Sequence, residues 1–490
     1  MEQFNNFING VNGVIWSTAL VVLIAIAGIW FTVATKGIQF RRFKDSIKLL
    51  TEKNESEGET LSSFQSFATT VGARVGMGNI AGVATAIFFG GPGAVVWMWI
   101  LCLLGGATSC VEVALAQAYK KRSGDEYMGG AQLFIERGLH FKIGSVLFAI
   151  AAIIGPGLLM PPLQAQSMAT TFSEGFGVNY TLMGFIIAVL VFLVISGGVV
   201  RIGKIAELMA PIMCVLYLIL GIVIFCMHIA DVPAAFALMF KAAFGQEQMY
   251  AGIVGAMISW GVKRGLYSNE AGQGSGPIVA AAAECSHPVK QGLVQVLSVY
   301  IDTLVVCTIS ALIIILTGMY NVSDAAGNLI TEGIPGREYG ILWVQDALNN
   351  ALGTWSGKLL AIMIAFFVFT TLIAYYYQAE SNVRYLFKSS KTAIWVFRCV
   401  YTLACLAGIL VNSEVIWSMG DTGAGTMAWV NVIAILFLTK KAITLCRDYD
   451  KQRDAGLDPM FDPAILGIDD DEKIWDKYAK IKREREGAAE

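Results

Sequence analysis

Gly72-Ala73-Arg74-Val75-Gly76-Met77-Gly78-Asn79 interrupts an apolar stretch. Five stretches later a second interruption runs through Ser259-Trp260-Gly261-Val262-Lys263-Arg264-Gly265 and on to Asn269-Glu270-Ala271-Gly272-Gln273-Gly274-Ser275-Gly276. Helical continuity is hard to keep through such glycines. Backbone freed at membrane depth is tolerated only where protein packs it or a cavity lines it. Two Gly-interrupted segments at corresponding places in two halves are the sequence mark of a secondary transporter's binding site. The chain therefore reads as a carrier whose site lies at the two breaks.

The rest of the composition agrees. The 490 residues are 56% hydrophobic and 15% charged, with mean hydropathy +0.62. Soluble domains carry about 25% charge. Repeated apolar stretches of about 20 residues make an all-α polytopic membrane protein. A net charge of −2 supplies no basic field for nucleic acid. The nine cysteines are scattered without metal spacing, so they read as packing residues. No cleavable leader is expected. The first stretch has no basic residue before it, while Lys36, Arg41, Arg42, Lys44 and Lys48 follow it, the reverse of a signal peptide.

Eleven spans are expected, at about 14–35, 64–89, 93–119, 143–173, 180–198, 205–228, 248–276, 289–318, 357–378, 392–412 and 415–439. Most Lys and Arg fall in alternate loops and in the C-terminal tail, which predicts an outside N-terminus and a cytoplasmic C-terminus in the cell membrane. The breaks then start two five-span units of opposite orientation, a 5+5 inverted repeat preceded by one extra helix. The divisions are 1–62 (extra helix and basic loop), 63–228 (first repeat), 248–440 (second repeat) and 441–490 (cytoplasmic tail). The acidic loop 319–356 reads as solvated and able to fold over the outer face. Alternating acids and bases over 469–486 read as a solvated surface helix.

At a break, Gly76 and Gly78 would permit angles forbidden to other residues. Freed N–H groups at the start of a half-helix favour a carboxylate. Freed carbonyls at the end of the other half suit a hard cation such as Na⁺. An amino acid, with a carboxylate beside an ammonium, matches such a break.

These same residues carry a resemblance. Gly76-x-Gly78-Asn79-Ile80-Ala81-Gly82-Val83-Ala84, then Gly90-Gly91-Pro92-Gly93-Ala94 and Trp97-Met98-Trp99, resemble the first signature of the alanine or glycine:cation symporter family. Lys263-Arg264-Gly265-Leu266-Tyr267-Ser268-Asn269-Glu270-Ala271-Gly272-x-Gly274-Ser275 resembles the second, and Asp448-Tyr449 and Gly456-Leu457-Asp458-Pro459 extend the likeness into the tail. The resemblance implies a leucine-transporter-like fold and Na⁺-driven uptake of small neutral amino acids. Some similar members use H⁺ and some carry glutamine. Met77 stands where the family usually has Thr, Gln273 where it has Met, and Gly276 where it has Ala or Thr. In Pro161-Pro162-Leu163-Gln164-Ala165-Gln166, Gln164 matches the family pattern while Pro161 and Gln166 depart from it.

By the same resemblance, Na⁺ sits between the first broken helix and the ninth span, on Thr370 and Thr371 with backbone oxygens of Gly72, Val75 and Phe367. The substrate carboxylate meets the N–H groups of Met77 and Gly78. Trp260 and Gly261 line the pocket, Gln164 bonds the substrate, and Asn79 orients the break or contacts substrate. Ionisable residues within spans cost about 2.5–3.5 kcal/mol each at a helix centre, so they are functional suspects. These are Arg74, Glu112, Glu207, Lys263, Arg264, Glu270 and Asp302. Arg264 with Glu270 is a candidate gate, and Asp302 a carboxylate for a second cation or a proton. H⁺ coupling through Asp302 or Glu270 is the alternative within transporters. A sensor built on a transport fold is a remoter one. An enzyme would need clustered acids or histidines, whereas His140, His228 and His287 lie apart near span ends. No obligate protein partner and no organic cofactor are expected.

Overall fold

Each long apolar stretch forms a helix in the computed structural model, which describes residues 2–52, 61–124, 126–410 and 413–487. Residues 53–60 of the expected basic loop lie outside the described residues. The chain begins with α1 (Glu2–Ile15), not expected from the sequence, and α2 (Thr18–Ala34). The first broken helix is α3 (Ser63–Arg74) and α4 (Met77–Gly90), followed by α5 (Ala94–Ala118). Next come α6 (Lys142–Ile154), α7 (Pro161–Phe176), α8 (Tyr180–Ile195), α9 (Gly198–Met227) and α10 (Val232–Ala243). The second broken helix is α11 (Val254–Asn269) and the short α12 (Gly276–Ala280). Then follow α13 (Pro288–Tyr300), α14 (Thr308–Thr317), α15 (Ile341–Leu352) and α16 (Thr354–Leu386). The chain closes with α17 (Lys391–Ala407), α18 (Ser413–Phe437), α19 (Thr439–Asp454) and α20 (Asp476–Gly487).

Among the described residues seven helical stretches are long and apolar enough to cross a membrane, and an eighth follows if α18 and α19, bent by 68°, count as one span. The three other expected spans correspond to α8, α11 and α17, which are 16, 16 and 17 residues long, short of the roughly 20 residues a bilayer requires. The protein is thus mostly helical and multi-pass. Among the described residues, two short antiparallel strand pairs, 121–123 with 126–128 and 321–323 with 329–332, depart from an all-α chain.

In lipid, apolar surface gives little drive for helix association, so packing rests on small residues and polar contacts. α5 and α13 show this. A Cβ on Gly292 would lie 2.6 Å from the Cys110 carbonyl oxygen, so only glycine lets the two backbones come this close. The apolar side chains of α9 that face outward, among them Leu208, Val215 and Ile219, are exposed as a lipid-facing surface is. α4 packs on α11, α3 on α9 and α16, and α7 on α16, so both broken helices lie at the centre.

At the ends, one expectation gains detail and one changes. The 319–356 segment carries its own helix α15 and covers the end of α4, where Tyr339 stacks on Phe88 at 4.7 Å and Trp343 is buried. The tail is docked, not simply solvated. Trp475 is 1% exposed, with its ring 4.9 Å from Phe461 and under the Lys120 ammonium at 4.8 Å. Lys482 of α20 is buried and bonds Asp448 at 2.7 Å. A charge-alternating pattern cannot show this, because the anchoring Trp475 lies just before the helix.

Candidate functional site

A capping box, Ser62 with Gln65, starts α3. The helix stops at Arg74. Val75 (φ −78°, ψ 86°) and Gly76 (φ −140°, ψ −146°) are non-helical, and α4 starts at Met77. Asn79 holds the interruption open. Its Oδ1 accepts from the Gly76 N–H at 2.9 Å, and its own N–H goes to the Gly76 carbonyl at 3.2 Å, where a continuous helix would give it to Val75.

The glycines act through space rather than through special angles, which corrects the expectation for Gly76 and Gly78. Neither has a positive φ. A Cβ on Gly76 would lie 2.6 Å from Thr371 Oγ1 and 3.1 Å from Gln164 Oε1. A Cβ on Gly78 would lie 3.1 Å from the Ser268 Cα and 3.2 Å from the Tyr267 ring. Gly76 thus lets α7 and α16 reach the break, and Gly78 lets α11 lie against α4.

Thr371 and the carbonyls expected beside it converge. Its Oγ1 donates to the Gly72 oxygen at 2.8 Å and the Phe367 oxygen at 2.9 Å. Three oxygens from two helices therefore meet within about one hydrogen-bond length, the kind of hard donor set a cation of this type takes. Thr370 Oγ1 bonds back to Phe366 and Phe367 carbonyls at 2.9 and 3.0 Å, while its Cβ lies against Gly72. The Val75 carbonyl has lost its helical donor, because the Asn79 N–H goes to Gly76 instead.

Gln164 reaches the break, and it takes the N–H assigned to a carboxylate: Met77 N donates to Gln164 Oε1 at 3.2 Å. Trp260 and Gly261 do not line the break. Ser268 is the α11 residue beside it, and Trp260 precedes Ser268 by eight residues, about 12 Å along a helix. Trp260 stacks on Phe89 at 4.4 Å. A Cβ on Gly261 would meet Trp97 Cβ at 2.5 Å, so Gly261 serves packing on α5.

Asp302 joins the two broken helices. It lies in a π-helical turn, Ile301–Cys307, between α13 and α14, an irregularity frequent at functional sites. Oδ1 accepts from Asn79 Nδ2 at 2.5 Å, and Oδ2 accepts from Ser268 Oγ at 2.9 Å and Thr303 Oγ1 at 2.8 Å. All four side chains are buried. Among the described residues no cation lies within ion-pair distance of this carboxylate.

The second break sits later than the first half of its motif implies. Ser259–Gly265 remain helical within α11, and the interruption spans 270–275. Glu270 (φ 55°), Gly272 (φ 90°) and Gly274 (φ 86°) take left-handed conformations there, which suit glycine and strain glutamate. Glu112 of α5 accepts from the Gly272 N–H at 3.2 Å and from Asn431 Nδ2 at 2.7 Å, while Asn431 also donates to the Gly272 carbonyl at 2.9 Å. Glu270 accepts from Ser275 Oγ at 2.8 Å and Gln378 Nε2 at 3.4 Å.

The expected Arg264–Glu270 pair does not form. Arg264, six residues earlier on α11, bonds Asp421 of α18 instead. α11 ends at Asn269, and Glu270 turns off in a left-handed conformation just beyond it. Arg74 is buried with Glu270, Glu112 and Asp302 in electrostatic reach, and it donates to the Gln295 carbonyl at 3.1 Å, Ser109 Oγ at 3.2 Å and Ser298 Oγ.

Sequence reasoning missed Ser268, Thr303, Asn431 and Asp421. Asp421 was findable, being an acid inside an apolar stretch like Asp302. The polar neutral residues carry no such signal.

The sequence profile of the sodium:alanine symporter family matches residues 1–463. A sodium/proton-dependent alanine carrier protein of Bacillus sp. (strain PS3) is 42% identical over 447 residues, 90% of this chain and 100% of that one. The Probable sodium/glutamine symporter GlnT of Bacillus subtilis is 37% identical, over 97% of both chains. The sodium/alanine symporter AgcS of Methanococcus maripaludis is 33% identical, over 92% of this chain and 98% of that one. Likeness to the solved structure of Mhp1, a nucleobase-cation-symport-1 transporter, is weak, with TM-score 0.39 at 12% identity over 81% of each chain. With a profile match over nearly its whole length and relatives of the same kind along it, the chain belongs to the sodium:alanine symporter family, whose members are secondary transporters and not enzymes.

Proposed function

We propose that this member imports a small neutral amino acid, alanine or glycine, with Na⁺ as the coupling ion, by alternating access. It does so in a bundle of eleven spans, a 5+5 inverted repeat after one extra helix, with the N-terminus outside and the C-terminus cytoplasmic. The observation that carries the proposal is the meeting of α16, α7 and both broken helices on the Gly76 break.

Na⁺ enters among the oxygens of Gly72, Val75, Phe367, Thr370 and Thr371, tying α3 to α16. The substrate takes its place next to Gln164. Its carboxylate replaces Gln164 Oε1 on the Met77 N–H, with the Gly78 N–H beside it, and the Gln164 amide turns to the substrate. Asn79 holds the break while Asp302 registers the state of α11 through Ser268. A change at either break is thus carried to the other helix, which is what coupled opening needs.

One ion suffices energetically. A 100 mV potential gives about 2.3 kcal/mol per charge, and a tenfold gradient adds about 1.4 kcal/mol. Together they allow accumulation of roughly several hundredfold.

One observation favours a second reading, H⁺ coupling. Asp302 is buried in the path between the breaks and its hydrogen-bond partners Asn79, Ser268 and Thr303 are all neutral, as a proton carrier's would be. The name of the Bacillus sp. relative also gives both ions. The GlnT name adds glutamine as an alternative substrate. The test is competition in proteoliposomes. Unlabelled glycine suppresses labelled L-alanine uptake and glutamine does not if the site is small. An inward pH gradient without Na⁺ drives no uptake if Na⁺ is the coupling ion. Suppression by glutamine alone, or uptake driven by pH alone, replaces the proposal by the corresponding alternative.

A further inference from the structure

The start of the first broken helix is fastened to the chain that follows the second, at the end of the bundle where the tail docks. Leu61, just before the cap of α3, gives its N–H to the Ala282 carbonyl at 3.3 Å, and its own carbonyl accepts from the Glu284 N–H at 3.2 Å. Gln291 Nε2 of α13 donates to Ser63 Oγ at 2.8 Å beside them. Lys120, just past α5, reaches the Ala283 carbonyl at 2.9 Å. Residues 281–287 thus form a strap that holds α3 to α12. The two cannot part at this end while the Leu61 bonds hold.

The tail strings Asp448-Tyr449 and Gly456-Leu457-Asp458-Pro459 meet this strap. The Phe461 N–H donates to the Ser286 carbonyl at 2.9 Å, and Ser286 Oγ donates to the Pro459 carbonyl at 2.9 Å. His287 lies 3.2 Å from Asp448 and 5.4 Å from the Tyr449 ring. Gln452 of α19 holds the turn 456–461 from behind, through the Met460 N–H at 2.8 Å and the Met460 carbonyl at 2.9 Å.

Lys290 ties three segments together. Its side chain is 4% exposed, and its ammonium lies 2.6 Å from Glu52 and 2.5 Å from Asp458. The two carboxylates are 30% and 50% exposed and border a cavity of about 260 Å³ between loop and tail. An ion pair with one solvated partner is weak and readily exchanged for water. An ammonium as enclosed as that of Lys290 is costly to leave without a carboxylate. Lys290 keeps Glu52 when Asp458 departs, so the turn can leave without stranding the charge.

We infer that the tail is a clamp on this end of the carrier. The turn 456–461 holds the strap against Leu61 while the end is shut, and Lys290 releases Asp458 before α3 and the strap part. The inference rests on the transport reading for the need to open. Its test uses neither substrate nor Na⁺, so the two fail separately.

Native thiols report the two states. Cys285 is in the strap and buried. Cys307 is buried between the broken helices, 3.4 Å from Asn79 Nδ2 and 3.2 Å from Ser268 Oγ. Cys405, buried in α17, controls for general loosening. The purified full chain is reacted in detergent with a water-soluble maleimide, and labelling at each cysteine is followed by peptide mass spectrometry. Asp458→Asn is expected to speed labelling of Cys285 and Cys307 about threefold or more, the span of a partly exposed ion pair, and to leave Cys405 unchanged. Glu52→Gln, which weakens the other side of Lys290, is expected to do the same and covers the case in which Asp458→Asn fails to fold. Faster labelling of Cys285 alone would mean that the tail frays without opening the end, and it overturns the clamp. Equal acceleration at Cys405, or no acceleration in either variant, overturns it as well.

Discussion

Asn79 Nδ2 lies 2.5 Å from Asp302 Oδ1, while the same side chain's oxygen holds the Gly76 N–H at 2.9 Å. One amide therefore joins the first break to the carboxylate that also receives Ser268 from the second broken helix. Replacing Asp302 by Asn removes the acceptor for Asn79 or for Ser268 without changing volume. The cost of an unsatisfied buried donor, about 1–3 kcal/mol, predicts that Asp302→Asn lowers Na⁺-driven uptake at least tenfold in proteoliposomes, with protein yield unchanged. Uptake within twofold of wild type would remove Asp302 from the coupling path.

The oxygens at Thr371 give a sharper ion test. Thr371→Val keeps the shape and deletes the hydroxyl, while Thr371→Ser keeps the hydroxyl and deletes a methyl group. The half-saturating Na⁺ concentration is expected to rise about tenfold or more in Val, the loss of roughly 1.4 kcal/mol, and to stay within threefold in Ser. The measurement is uptake against Na⁺ concentration at fixed substrate. Equal behaviour of the two variants contradicts an ion site here.

Gly76 is predicted to tolerate no side chain. In Gly76→Ala the new methyl carbon would stand 2.6 Å from Thr371 Oγ1. Overpacking of this kind costs typically about 1–3 kcal/mol. Because α16 must shift to relieve it, transport should fall at least tenfold while the protein remains monodisperse. Gly252→Ala, at an exposed position just before α11 with open space around the added carbon and no left-handed backbone, serves as the control.

The docked tail makes stability depend on pH. His287 is buried, which lowers its pKa despite the bond it gives Asp448 at 3.2 Å, and Lys482 and Lys290 face it as well. Burial opposes ionisation of Asp448, but the bonds from His287 and Lys482 outweigh it and hold its carboxyl below the usual range. Both groups bind protons more weakly docked than free. Their contribution is therefore complete above pH about 6.5, the ordinary histidine value, and is lost as pH falls below it, with the Asp448 share lost at lower pH still. The melting temperature should drop more steeply between pH 6.5 and 5 in the wild type than in His287→Gln. Parallel curves would show that this contact does not report docking.

The break at Gly76, the hydroxyls at Thr371 and the carboxylate at Asp302 were legible in the sequence because each violates the apolar pattern of a span. The glycines' role was not legible. A Gly-x-Gly string shows freedom of angle, whereas the need here is for room against Thr371 and Tyr267, which depends on which helices come together. Glu270 illustrates the same limit. Its charge marks it, yet its left-handed backbone and its separation from Arg264 depend on where α11 ends. The tail's docking went unseen because one buried Trp475, rather than a periodic face, anchors it.

The most direct test of coupled transport is labelled L-alanine uptake into liposomes holding the purified protein, with an inward Na⁺ gradient compared with equal inward K⁺. The account predicts accumulation above the equilibrium level with Na⁺, reduced by Thr371→Val at the same Na⁺ concentration, and none with K⁺. Equal uptake in the two salts would contradict it.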